Sequence, residues 1–236
     1  MSFNREVWLK WSIRKPCPMC EGGILIPETG TYKESESVES IENGRVGYYI
    51  SEYVFTAHLR CNSCKDSAVV CGLKIHDNYY DEEVGPSITH YVKGFFPPPK
   101  IITIPDSCPE IIKKILNESF GLYWLDAGSC ANKIRVGIEV LMNELGVVKS
   151  ITTKKNKLQV LTLDKRIKEF QKNNTEVGDY LLSVKWIGNA GSHSNITQDN
   201  CLDAYEMLEY SLELLYPDRK NKITAISKRI NSSKKP

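Results

Sequence analysis

Cys17-Pro18-Met19-Cys20 and Cys61-Asn62-Ser63-Cys64 decide how the first part of this chain is read. A tetrahedral thiolate site needs four soft ligands presented on two tight turns, and two Cys-x-x-Cys pairs supply them. The sequence around the pairs agrees with this. Residues 45–60 are loaded with β-formers (Val46, Tyr48, Ile50, then Tyr53, Phe55, Ala57 and Leu59), and they run directly into Cys61. A second apolar run, Ala68 to Ile75, leads away from Cys64. Strands that enter and leave a Cys-x-x-Cys turn form a ribbon. The spacing therefore predicts a small β-rich, zinc-ribbon-like module over residues 1–96, with Cys17, Cys20, Cys61 and Cys64 as the metal ligands. The polar, Glu/Ser-rich stretch from Lys33 to Asn43 reads as a flexible loop.

An all-cysteine site has no open coordination position, so the expected zinc is structural; a catalytic zinc keeps one position for water or substrate. Loss of such a metal unfolds its module, because its binding energy is folding energy. Four more cysteines remain, Cys71, Cys108, Cys130 and Cys201. They read as small buried hydrophobes. Cys71, His58 and His76 are close enough in sequence to compete as ligands.

Composition sets wider bounds. The chain has 236 residues, 41% of them hydrophobic and 25% charged, with a formal net charge of +2. That suits one sizeable core or a small module beside a larger one, and it is not a polycation built for nucleic acid. Basic residues concentrate at the end, from Arg219 to Lys235. This segment reads as a basic, flexible tail over residues 218–236, either simply solvated or in contact with phosphate. The start, Met1 to Glu6, is charged, and no apolar run approaches the length of a membrane-spanning helix. A cytoplasmic location is therefore expected, where clustered cysteines bind metal more often than they form disulfides. There is no phosphate-binding Gly-x-x-x-x-Gly-Lys-Ser/Thr loop and no His-Glu-x-x-His motif.

Phe95-Phe96-Pro97-Pro98-Pro99 interrupts regular structure, because proline removes a donor and fixes φ. After Pro105 the pattern becomes helical. Asp106 or Ser107 can cap a helix carrying Ile111, Ile112, Ile115 and Leu116, with Pro109 in its first turn. A second helix starts near Ser129, with Ile134, Ile138, Leu141 and Leu145 on one face and Gly146 at its end. Shorter patterns span Leu163 to Lys172 and Val177 to Ile187. The clearest stripe is Leu202, Tyr205, Leu208, Leu212 and Leu215, stopped by Pro217. The fold class expected is α+β: the β-rich module, then an all-α bundle of four to five helices over residues 97–217.

Within the bundle, Gly188, Asn189 and His193 form a second constellation. The small residues between Asn189 and His193 allow a tight turn and close approach. A histidine there can move protons, with asparagine orienting a phosphate or the imidazole; it can equally serve as a hydrogen-bonded helix end. Arg135 and Glu139, four apart, share a helical face.

These motifs together resemble a known family. Pro105, Pro109-Glu110, Glu118, Ala131, Arg135, Glu139 and Leu141, Gly188-Asn189 with His193, and the closing Leu215-Tyr216-Pro217 are similar to domain of unknown function 4145, itself similar to the HEPN superfamily of helical bundles. The resemblance covers about Pro97 to Pro217, and a Cys-x-x-Cys module often precedes such a bundle. It implies a link to prokaryotic antiviral defence, including restriction systems, and a homodimer. Many HEPN proteins are metal-independent ribonucleases whose motif places an arginine and a polar residue ahead of a histidine. Asn189 and His193 match that motif, and the arginine position falls on Gly188. Arg135 can supply the missing cation from the neighbouring helix, or it can be an Arg–Glu pair that ties two helices.

Two functions follow. In one, the protein is a non-catalytic binding or regulatory component that docks on nucleic acid or a defence-system partner; aromatic and basic residues of the head (Tyr48, Tyr49, Tyr53, Phe55, Arg45, Arg60) are candidate base-stacking groups, or simply a sheet face. In the other, it is an endoribonuclease with His193 as acid/base, Asn189 orienting and Arg135 stabilising charge. Gly188 favours the first, because phosphoryl chemistry needs a cation at the phosphate.

Overall fold

Alternation along one long strand organises the N-terminal unit. In β4 (Ile50–Cys61), Phe55, Ala57, Leu59 and Cys61 are at most 1% exposed, while Val54, Thr56, His58 and Arg60 between them face outward. This is the period of a half-buried strand. Ile50 falls on the outward face and is 49% exposed, so the inward set begins at Tyr53. The structure, a computed structural model, describes residues 15–20, 22–45, 50–78, 85–152, 156–191 and 196–233. It divides into units Met1–Lys100 and Ile101–Pro236.

The first unit is an antiparallel sheet, β1 (Lys15–Pro16), β2 (Ile24–Pro27), β4, β5 (Ser67–Asp77) and β6 (Ser87–Phe96) in that order, with β3 (Lys33–Glu36) also pairing with β4. β2 takes the end of β4 next to the cysteines, Leu59 to Cys61, and β3 takes Tyr53 to Thr56. The stretch read as a flexible loop is therefore ordered: it holds β3 and a helix, α1 (Val38–Arg45). Ser40, buried within it, donates to Glu36 Oε1 at 2.8 Å and accepts from the Glu52 N–H at 3.0 Å. β3 shows no alternation in sequence because it is an edge strand whose residues are largely exposed. β6 carries the chain up to the proline run.

The second unit is mainly helical. α2 (Glu110–Leu125) follows Pro109 and buries Ile112, Ile115 and Leu116, while Ile111 faces out at 47% exposed. α3 (Ala127–Glu144) is capped by Asp126, whose side chain accepts from the Ser129 N–H, and Ile134, Ile138 and Leu141 are wholly buried. Gly146, with φ of 71°, follows its last turn. A two-stranded hairpin, β7 (Ser150–Thr152) with β8 (Leu158–Val160), comes next. Then come α4 (Leu163–Gln171), capped by Thr162, α5 (Thr175–Ala190) and α6 (Gln198–Leu215), which opens with a capping box between Thr197 and Asn200. Among the described residues the chain has seven helices, one of them in the N-terminal unit. The last, α7 (Asp218–Ser233), occupies the segment expected to be a flexible tail.

α3 is central: α2, α4, α5 and α6 all pack on it. At its C-terminal end the buried Arg166 of α4 donates to Asn143 Oδ1 at 2.8 Å and to the Val147 carbonyl at 2.9 Å, tying α4 to the last turn of α3 and to the segment that follows it. Lys185 of α5, 3% exposed, pairs with Asp164 of α4 at 2.7 Å. The ammonium groups of Lys185 and then Lys168 hold the Asp164 carboxyl below its usual range. A depressed carboxyl contributes stability that is present above its unfolded pKa and lost as pH falls through the folded one. Asp164→Asn should therefore lower stability at neutral pH by about 1–3 kcal/mol, between the values for exposed and fully buried pairs. In urea denaturation the gap to the wild type should close as pH falls below about 4.

Candidate metal centre

Both cysteine pairs lie at one end of the sheet, on turns joined to neighbouring strands. Cys17 follows β1 directly, and the turn closes with Cys17 N–H donating to the Gly23 carbonyl at 2.9 Å. Cys61 ends β4, and its N–H donates to the Asp66 carbonyl at 2.9 Å just before β5. Leu25 of β2 stands opposite Cys61. Asn62 then stitches the two turns: its N–H donates to the Ile24 carbonyl at 2.9 Å, and its Oδ1 accepts from the Ile24 N–H at 2.8 Å.

The sulfurs converge. Cys17 Sγ lies 3.8 Å from Cys64 Sγ, Cys20 Sγ lies 3.7 Å from Cys61 Sγ, and all four are within 4.8 Å of one another. A disulfide needs about 2.05 Å. The edge of a sulfur tetrahedron with metal–sulfur bonds of about 2.3 Å is about 3.8 Å. The two turns bond alike, with Met19 N–H to Cys17 Sγ and Ser63 N–H to Cys61 Sγ, both at 3.4 Å, which favours thiolate over thiol. As free thiols the group titrates unevenly. Desolvation pushes Cys17 up. It would push Cys61 up too, but the N–H groups of Ser63 and Cys64 and the neighbouring thiols outweigh it and bring Cys61 down to about 6. Against the Asp66 N–H, desolvation and shared hydrogens drive Cys64 up to about 12.

Backbone approach completes the cradle. A Cβ on Gly23 would stand 2.6 Å from Cys20 Sγ and closer still to Cys61 Sγ. Only glycine leaves the sulfurs room to close on an ion. Sequence reasoning missed Gly23 and Asn62; their only signal was position, beside the first pair and inside the second. The three competing ligands do not reach the cluster. Cys71 pairs with Thr56, five residues along β4 from Cys61 and so about 17 Å away along the strand. His76 pairs with Ser51, farther still, and His58 faces outward from β4. Cys108, Cys130 and Cys201 are buried as expected, the last two in contact with backbone carbonyls.

The stacking candidates of the head separate. Phe55 is fully buried, Tyr53 lies beneath Lys74 Nζ at 4.6 Å, and Arg60 pairs with Glu28 at 3.2 Å. Tyr48, Tyr49 and the Arg45 side chain lie outside the described residues. Phe55 is thus core, not a platform for bases.

In the helical unit, Gly188 and Asn189 are in the last turns of α5, and Asn189 is exposed. His193 lies outside the described residues. A Cβ on Gly188 would stand 2.6 Å from Arg135 Cβ and 3.0 Å from the Ala131 carbonyl. The arginine absent from this position has no space there, because the stem of Arg135 already fills it. The Arg135 guanidinium pairs along its own helix with Glu139 and donates to Asn132 Oδ1 at 3.2 Å. Glu118 of α2 pairs with Lys133 of α3.

The chain is thus a two-part protein, a sheet carrying a four-cysteine centre able to hold a metal ion and a helical unit built on α3. Residues 117–232 match the family model described as domain of unknown function DUF4145, which supports placing the helical segment in that family. Residues 1–99 match the model of a second domain of unknown function, DUF8608. No curated protein and no solved structure matches the chain. The first match runs on through α7, beyond the Pro217 limit read from sequence. Among the described residues, no helix is long and apolar enough to cross a membrane.

Two substitutions test these close approaches. Gly23→Ala should strip the centre: elemental analysis should find one metal ion per wild-type chain and almost none in the variant. Gly44→Ala, with open space around the new Cβ, should retain it. Gly188→Ala should lower stability by ~1–3 kcal/mol through overpacking, although alanine is the better helix former. A gain in Tm there would contradict the α3–α5 contact.

Proposed function

We propose that Cys17, Cys20, Cys61 and Cys64 hold one structural zinc ion in a zinc-ribbon-like head, and that the helical unit is a HEPN-like bundle acting as a binding or regulatory component in prokaryotic defence. The metal reading is supported by the donor set: four cysteine sulfurs within 4.8 Å of one another, two pairs of them at tetrahedral edge length, suit a soft, closed zinc site with no place for substrate. The zinc would tie the two turns together, and the chain's own part is to present the four sulfurs, favour their thiolates with N–H donors and keep Gly23 out of their way. The defence assignment is supported by the family resemblance. The observation that carries the non-catalytic reading is the packing at Gly188. It leaves no room for a local cation, and the nearest arginine is paired with Glu139. A phosphoryl transition state needs a cation free to meet its developing charge.

The same contact gives a specific reason to keep a second reading, a metal-independent endoribonuclease using His193, Asn189 and Arg135. Arg135 passes against the very residue where the family motif carries its arginine, so a rotation away from Glu139 would bring its guanidinium toward Asn189. Single-stranded and structured RNAs, incubated with the wild type and with His193→Ala, separate the two. The expected result is binding without cleavage by either chain. Cleavage by the wild type that disappears in His193→Ala would replace the binding reading with the ribonuclease.

A further inference from the structure

The connection between α3 and α4 serves neither the cysteine centre nor the packing at Gly188, and its composition is one-sided. Residues 145–163 carry Lys149, Lys154, Lys155 and Lys157 and no aspartate or glutamate. The positive charge of this short segment exceeds the +2 that the whole chain nets. The segment forms the β7–β8 ribbon, a two-stranded sheet of its own. Its strands are joined through residues 153–155, which lie outside the described residues. Asn156, at φ of 56°, takes the left-handed conformation that asparagine tolerates and leads the chain into β8.

The ribbon is apolar where a solvated hairpin would be polar. Thr152 stands opposite Leu158 and Ser150 opposite Val160, so these four side chains share one face. Leu158 and Val160 are 73% and 75% exposed. Ile151 stands opposite Gln159 on the other face, and the ladder runs on to Lys149, whose carbonyl accepts from the Leu161 N–H at 2.9 Å. By alternation Lys149 shares the Ile151 face. One face thus offers two branched apolar side chains and two hydroxyls; the other offers a cation, an amide and Ile151. A two-stranded hairpin is marginally stable in water by itself, and apolar residues held in water add nothing to it. The arrangement suits a surface that takes up apolar side chains and carries negative charge.

We propose that the β7–β8 ribbon rests on a bilayer surface of anionic phospholipid. Leu158 and Val160 enter the boundary between headgroups and acyl chains, and the lysines sit in the negative surface potential. Ser150 and Thr152, on the same face, meet headgroup oxygens. The dimensions agree: each strand of three residues spans about 10 Å, and an interfacial element buries its apolar face ~5–10 Å deep. Nucleic acid would answer the lysines and leave Leu158 and Val160 in water. An uncharged protein surface would cover the apolar pair and leave the lysines without counter-charge. An anionic bilayer answers both, and stable surface attachment takes an apolar and an electrostatic contribution together. This goes beyond the metal and ribonuclease readings and stands whether or not either holds.

The test is cosedimentation of the full chain with vesicles of phosphatidylcholine alone and of its equimolar mixture with phosphatidylglycerol, with circular dichroism as the check on folding. The wild type should pellet with the mixed vesicles only, and less so as salt is raised. Leu158→Ser with Val160→Ser should abolish pelleting. Lys149→Gln with Lys154→Gln should weaken it roughly 25-fold, at about fivefold for each lysine. Leu158→Trp keeps the depth of entry measurable even if the serine chain misfolds: it should pellet like the wild type and gain quenching by brominated acyl chains. A wild type that stays in solution with the mixed vesicles overturns the proposal. So does pelleting unchanged in a folded serine chain, or a tryptophan at 158 that gains no quenching. Pelleting lost with Lys222→Glu and Arg229→Glu, and indifferent to the ribbon changes, would overturn it and give the attachment to α7. Duplex DNA bound by a wild type that ignores vesicles, and released by the lysine changes, would overturn it and make the ribbon a nucleic-acid contact.

Discussion

The register of Leu25 against Cys61 is the constraint on which the head depends. It sets two turns, 41 residues apart at Cys20 and Cys61, at one end of the sheet with their sulfurs 3.7 Å apart. A one-residue slip would turn every side chain of β2 to the other face and carry the first pair away from the second. Asn62 guards against that slip by spending both its N–H and its side-chain oxygen on Ile24. The metal centre is therefore a property of strand pairing, and an ion bound there would in turn clamp the pairing, so that fold and site stabilise one another.

The helical unit depends on a different economy of space. α3 and α5 approach so closely that Gly188 meets Arg135 and Ala131, while Gly128 and Gly191 bring backbone to backbone. Such contacts are available only to residues without side chains, and they fix where neighbouring groups emerge. Arg135 is directed past Gly188 and back along its own helix to Glu139, so the cation whose stem packs on Gly188 is already paired with a carboxylate. Packing and chemistry compete for the same few cubic ångströms, and in this arrangement packing prevails.

Much of this was legible in the sequence where one face of an element is buried. Tyr53 to Cys61 alternates because that half of β4 covers a core, and Ile134, Ile138 and Leu141 keep helical spacing because α3 is buried among four neighbours. The four cysteines were legible from spacing alone. Edges and exposed elements were not: β3 is polar on both faces, and α7 hides three isoleucines among lysines and arginines, which by composition reads as a solvated tail. Gly23 and Asn62 were silent because what distinguishes them is a distance, set by residues far away in the chain. His193 and Tyr48 fall outside the described residues.

The two units differ in how their peripheral segments are held. The head satisfies its turns internally, with hydrogen bonds and sulfurs facing one another. In the helical unit, the α7 side chains from Lys222 to Ser232 are exposed, and its first turn is anchored where Asp218 accepts from the Ser107 N–H. Burying a methylene is worth about 0.8 kcal/mol, so the half-exposed Ile223 and Ile226 leave part of their apolar surface in water. Their spacing puts that surface on one helical face, and the head, whose four cysteines could hold a metal ion, is a separate unit of the same chain.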